Sequence, residues 1–212
     1  MPRKIVPANA DCPYHVTARS VNREAFPLHI ESMWSLFGDY LYLVGSIYSL
    51  RIHSFVLMPN HFHLMVSSPL GNLSEAMLYL MRETSREVSR LSGRINQTYG
   101  ARHHKSLITS YHYYMNAHKY VYRNPVRAGL CERVDDYKYS TLSGLLGFNS
   151  LVIPLVEDTL LFPDDFDEGI IRWMNTKPIP DCEDEVRRAL KRPSFKLSRN
   201  GRFESSLETQ LL

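Results

Sequence analysis

Near the N-terminus the chain alternates, with Tyr14, Val16 and Ala18 set against His15, Thr17 and Arg19. That period of two predicts a strand with one buried face over 13–21. From about Ile30 to Ser49 the period lengthens: Trp34, Phe37, Leu41 and Val44 recur at helical spacing, with no proline between them. Arg51–Met58 is rich in apolar and β-branched residues, Pro59-Asn60 is a turn pair, and His61–Ser67 is a second such run. Two strands joined across so short a turn make an antiparallel hairpin. Asn72 or Ser74 can cap the following helix, which runs to about Gly93 with Leu73, Met77, Leu80, Met81, Val88 and Leu91 on its buried face. Lys105–Ser110 reads as a short strand. Tyr111–Asn124 reads as a helix that Pro125 should end, because the residue before a proline resists the helical region.

The order β-α-β-β-α-β-α predicts an α/β (α+β) ferredoxin-like sandwich, a four-stranded antiparallel sheet with helices on one face. Residues 1–150 make up that domain. Residues 151–212 read as an irregular, partly helical C-terminal extension, broken by Pro154, Pro163, Pro178, Pro180 and Pro193. One short helix is expected around Glu183–Lys191, and loose chain from about Ser198. This architecture hosts many functions, so function has to come from a site.

Composition narrows the setting. No apolar run is long enough to span a bilayer, and Met1-Pro2-Arg3-Lys4 does not lead into a secretory signal. Cys12, Cys131 and Cys182 form no CxxC pair and no disulfide framework, which fits a reducing, cytoplasmic setting. The net charge is +3 at neutral pH. Its distribution is uneven: basic up to residue 156, acidic over 157–185, and basic again from Arg187 to Arg202, where no acidic residue occurs. A basic body and a basic tail suit a polyanionic partner.

Two short patterns carry candidate chemistry. In His61-Phe62-His63 the alternation of a strand sends both imidazoles to one face, close enough to share a divalent ion, and Phe62 to the other. Taken alone, two surface histidines on a strand explain it better, because the motif is short and histidine is not rare. Tyr120 and Asn124 lie four apart on a helix and share a face, so a phenol nucleophile and a hard amide ligand can point at one site. Tyr113, Tyr114 and Tyr122 compete for that role on the same helix. Arg82, Arg86, Arg90 and Arg94 form a stripe every four residues, suited either to phosphates or to local ion pairs with Glu83 and Glu87.

Longer strings settle the reading. Phe55-Val56-Leu57-Met58-Pro59-Asn60-His61-Phe62-His63-Leu64-Met65-Val66 resembles the HUH region of single-tyrosine transposases, most closely the REP-associated (RAYT) branch. Tyr120-Val121-Tyr122-Arg123-Asn124-Pro125-Val126-Arg127-Ala128-Gly129-Leu130 matches the second hallmark of that branch. Tyr14–Arg19, Asp136–Ser140 and Arg187–Arg192 resemble its first strand, its post-catalytic segment and its basic tail. The resemblance implies a metal-dependent endonuclease and strand transferase acting on single-stranded or hairpin DNA, REP-like palindromes in particular, through a 5′-phosphotyrosine. It implies Tyr120 as nucleophile, and His61, His63 and Asn124 around Mg²⁺ or Mn²⁺. Zn²⁺ fits less well, because no third His or Cys stands at ligand spacing.

Arg102, His104, Lys105, Arg123, Arg127, Arg187, Arg188, Lys191 and Arg192 are the candidate DNA contacts. Arg123 or Lys119 is a candidate for favouring the Tyr120 phenolate, whose ordinary pKa is about 10. Relatives act as monomers or as homodimers, and both remain open. The rival readings are a DNA-hairpin-binding protein that no longer cuts, and a hydrolytic metallonuclease without a covalent intermediate.

Overall fold

The structure is a computed structural model, and it describes residues 8–157, 168–178 and 180–196. The extreme N-terminus, most of the acidic stretch 157–168 and the chain from 197 onward lie outside the described residues. The expectations placed on Arg199, Arg202 and the end of the tail therefore lie outside them too.

The strands are β1 (Tyr14–Arg19), β2 (Arg51–Met58), β3 (His61–Ser67) and β4 (His104–Leu107). They form one antiparallel sheet in the order β2-β3-β1-β4. With α1 (Ile30–Ile47) after β1 and α2 (Leu73–Ser92) after β3, this is the expected ferredoxin-like sandwich. Phe62, Leu64 and Val66 of β3 and Val16 and Ala18 of β1 pack against Phe37, Leu41 and Val44 of α1 and Ala76, Met77 and Leu80 of α2. Phe62 and Phe37 meet edge to face with ring centres 5.2 Å apart. A fully buried side chain of this size contributes about 1.5–3 kcal/mol. Ile52 and Phe55 both serve this face although they stand an odd three positions apart, because a register shift between Ile52 and Ser54 resets the alternation.

The opposite face is covered by α3 (Tyr111–Arg127), whose Ala117, Val121 and Tyr122 pack on Val56, Met58 and Met65 of the sheet. The extension joins this layer through α5 (Glu168–Asn175) and α6 (Pro180–Ala189). The helix foreseen at Glu183–Lys191 thus starts earlier. Neither α5 nor the short α4 (Thr141–Leu145) has a pattern long enough to read.

Pro125 does not end α3; the helix runs to Arg127. Proline in the last turn forfeits only its own N–H, and the end is closed beyond it. The Gly129 N–H donates to Val126 and the Leu130 N–H to Pro125, with Gly129 at φ 69°. This is the Schellman closure, which uses a left-handed glycine. It keeps Asn124 and Arg127 helical, on the face that Tyr120 shares.

Both sheet edges are covered. Along β2, the Leu57 N–H donates to the Tyr139 carbonyl, and Thr141 Oγ1 accepts from the Phe55 N–H at 2.9 Å and donates to the Phe55 carbonyl at 3.2 Å. Along β4, the Leu107 N–H donates to Pro193 and the Phe195 N–H to Leu107. Edge strands left bare invite pairing with other chains. Thr141→Val, which keeps the shape and removes the hydroxyl, should cost about 1–3 kcal/mol, because it orphans buried backbone groups. Urea unfolding would measure that loss.

Candidate active site

The α3 face of the sheet is polar where the strands end. Register sets Thr17 across from His63 and Arg19 across from His61, with His104 on the other side of Thr17. Together with Tyr120, Asn124 and Arg127 of α3 and Arg187 of α6, these residues line a cavity of about 830 Å³. Rings of His61 and His63 lie 5.0 Å apart, and the ring of Tyr120 lies 5.9 Å from that of His63, nearly perpendicular. The histidine pair and the tyrosine of one chain therefore meet in one place.

The nitrogens of the two histidines are used unequally. His61 Nδ1 lies 2.6 Å from Asn60 Oδ1, and His63 Nδ1 lies 2.8 Å from His15 Nε2. His63 Nε2 is buried without a hydrogen-bond partner. Asn124 donates Nδ2 to the Tyr120 carbonyl at 2.8 Å, which directs its amide oxygen elsewhere. Two imidazole nitrogens and one amide oxygen suit a hard to borderline divalent ion. Among the described residues no group of three His, Cys, Asp or Glu could hold an ion.

Burial lowers His15 to about 3 and His61 to about 4, and carries His63 well below its ordinary value. The neighbouring histidines, and Arg19 beside His61 and His63, act in the same direction. All three are neutral at pH 7. In the unfolded chain they protonate near pH 6.5, so below that pH the unfolded state binds more protons. Stability is therefore complete above about pH 6.5 and falls as the pH drops, by up to about 1.4 kcal/mol per pH unit for each imidazole. Thermal melts between pH 7.5 and 5 in chelator should show Tm falling steadily; a flat profile would contradict the buried, neutral trio.

Burial raises the Tyr120 phenol, while Arg127, Arg187 and an Asn124 hydrogen bond oppose the rise. The competing tyrosines are engaged elsewhere. Tyr114 bonds His53 at 2.9 Å, Tyr122 bonds Thr141 at 3.2 Å, and Tyr113 packs on Phe195 at 4.6 Å.

Of the candidate DNA contacts, Arg102, His104, Arg127, Arg187 and Lys191 line the cavity. Lys105 does not. Alternation along β4 sends it to the α2 face, where it bonds Ser74 at 2.9 Å and lies 5.5 Å from the Tyr14 ring centre. Arg123 is buried and donates to the carbonyls of Met174 and Asn175, clamping the end of α5. It sits one helix position away from the cavity face, as does Lys119, which is buried over the Trp173 ring at 4.7 Å. Neither can serve the Tyr120 phenolate directly. Arg188 and Arg192 are exposed outside the cavity. In the arginine stripe, Arg82 and Arg86 pair with Glu83, Arg90 with Glu87, and Arg94, just beyond α2, with Glu24. Sequence reasoning assigned no role to His15, Arg19 or Arg23, all of which line the site. The alternation that placed His15 and Arg19 opposite the buried face of β1 was the available signal.

Among solved structures, the chain is similar to a REP-associated tyrosine transposase bound to a REP hairpin. The identity is 17%, the TM-score is 0.58, and the match covers 74% of this chain and 93% of that one. The fold is that of the REP-associated tyrosine transposase. A protein of Deinococcus radiodurans R1, named "a putative transposase", also matches at 15% identity, with 57% of this chain and 94% of that chain covered and a TM-score of 0.39. No protein-family model and no curated protein matches the sequence. Among the described residues no helix is long and apolar enough to cross a membrane.

Proposed function

We propose that this chain is a REP-associated tyrosine transposase, a metal-dependent single-stranded DNA endonuclease and strand transferase acting at REP-like hairpins. The observation that carries the reading is the meeting of Tyr120 with the His61–His63 pair inside one arginine-rimmed cavity. The transposase with the shared fold is bound to a REP hairpin, which supports the same class of substrate here.

In this reading His61, His63 and the Asn124 amide oxygen would hold Mg²⁺ or Mn²⁺, which would supply neutralisation of the phosphate charge. Tyr120 Oη attacks the scissile phosphorus and loses its proton. The Oη–P bond forms, and the bond from phosphorus to the upstream 3′ oxygen breaks, with that oxygen taking up a proton. The product is a 5′-phosphotyrosine and a free 3′ hydroxyl. Another 3′ hydroxyl reverses the step without ATP, because the ester retains the bond energy. Arg127 and Arg187, themselves paired with Glu183 and Asp184, are the cations that oppose the burial-driven rise of the Tyr120 phenol. Arg19, Arg23, Arg102 and Lys191 hold the DNA backbone around the cavity.

The test is incubation with Mn²⁺ or Mg²⁺ and labelled single-stranded hairpins from the flanking genomic DNA, followed by denaturing electrophoresis. A protein–DNA adduct is expected. Cleavage without an adduct would indicate a hydrolytic nuclease, and tight binding without cleavage a hairpin-binding protein. Binding to an uncleavable hairpin should weaken in Arg19→Ala and Arg102→Ala, each lowering the salt slope by about one. Lys105→Ala and Arg188→Ala should leave it unchanged.

A further inference from the structure

His15 lies on the cavity side of β1 and is buried, with its Nε2 2.8 Å from Nδ1 of His63. Two neutral imidazoles in contact share one proton along that line, and its owner decides what His63 can do. If His15 donates, His63 carries its proton on Nε2, and that nitrogen has no lone pair to offer the cavity. If His63 donates, its proton sits on Nδ1 and the Nε2 lone pair is available. Among the described residues His63 Nε2 and His15 Nδ1 are both buried without a hydrogen-bond partner; the second arrangement places the His15 proton on Nδ1 and leaves the His63 Nε2 lone pair, which faces the cavity side, for a cation.

The other histidine supplies an internal comparison. Asn60 donates Nδ2 to the Arg23 carbonyl at 2.6 Å, which turns Oδ1 toward His61 Nδ1. An amide oxygen only accepts, so His61 is protonated on Nδ1. Both histidines then hold an acceptor at Nδ1 and keep Nε2 uncommitted. Metal-bound histidines characteristically donate their second nitrogen to such an outer partner, which fixes the tautomer and the ring plane.

We propose that His15 is a positioning residue: its Nε2 accepts the His63 Nδ1 proton and so aims the His63 Nε2 lone pair at the metal site. This rests on the metal role of His63 proposed above. In this role His15 acts through His63 rather than on the ion itself. Its place follows from β1–β3 register, in which Thr17 faces His63 and His15 lies one step along the same face.

The experiment measures Mn²⁺ affinity of the full chain without DNA, by the electron paramagnetic resonance of free Mn²⁺, in wild type, His15→Phe, His15→Gln and His63→Ala. In parallel, nitrogen-15 spectra of the metal-free wild type report the His63 tautomer and need no variant to fold. The expected result is a proton on His63 Nδ1, an affinity about 10–100-fold weaker in His15→Phe, and recovery in His15→Gln, whose amide oxygen can accept. Circular dichroism confirms that each variant compared is folded. A proton on His63 Nε2, or a folded His15→Phe with wild-type affinity while His63→Ala loses binding, would overturn the role of His15 alone. Equal Mn²⁺ binding by wild type and His63→Ala would overturn the metal reading and this inference with it.

Discussion

Under the proposed mechanism, Tyr120→Phe is expected to abolish the covalent protein–DNA adduct and to lower strand cleavage by at least about 10³-fold, the scale on which removing a nucleophile acts. Hairpin affinity and melting temperature should barely change. The phenyl ring keeps the packing beside His63, and the phenol is half-buried at the cavity wall rather than sealed in the core. No neighbour can substitute. The hydroxyls of Tyr114 and Tyr122 are held by His53 and Thr141, and both side chains are buried under α3. Denaturing electrophoresis with a labelled hairpin reads the adduct, and native electrophoresis reads the binding. An undiminished adduct in Tyr120→Phe would transfer the nucleophile elsewhere and sink the mechanism.

The second large effect is expected at the histidine pair. His61→Ala and His63→Ala should each remove measurable cleavage at micromolar Mn²⁺, and chelation of the wild type should do the same reversibly. Removing one of two imidazoles leaves too few protein donors, since no other group of His, Cys, Asp and Glu among the described residues could hold the ion. Asn124→Ala should weaken Mn²⁺ binding less, because water can replace one neutral oxygen ligand. The fold should tolerate these changes: His61 and His63 contribute no apolar packing to either core layer. Removing a buried imidazole also removes a group that must shed its proton on folding. The acid-side fall in stability should therefore become shallower in His63→Ala. Cleavage that survives in both variants would separate the reaction from the metal.

Much of this molecule is written locally. The strands at 51–58 and 61–67 emerge at their expected boundaries, because alternation and a proline-asparagine turn act over a few residues. The pairing of His61 with His63, and of Tyr120 with Asn124, follows from strand and helix periods alone. Where local rules met long-range contacts, the contacts won. Pro125 stays inside α3 because Gly129 and Leu130 close the helix beyond it, a closure invisible from the proline itself. Lys105 is charged and adjacent to His104, yet the parity of β4 sends the two to opposite faces. Arg123 lies between Tyr120 and Asn124 in the motif that resembles the transposases, but α5, packed alongside, supplies the carbonyls that claim it.

The amino-acid sequence by itself determined the elements, their order and the two residue pairs on which the proposed chemistry rests, because each follows from a backbone period or a turn within a dozen residues. The tertiary structure decided which charges share a cavity with them. Arg19 and Arg23, Arg102, Arg127 and Arg187 lie on four separate segments of chain and converge only once β1 sits between β3 and β4 and α6 docks beside α3. It also decided that His15, an ordinary alternating position in its own strand, stands against His63. Contact across a sheet depends on register between segments 48 residues apart, and no local period encodes it.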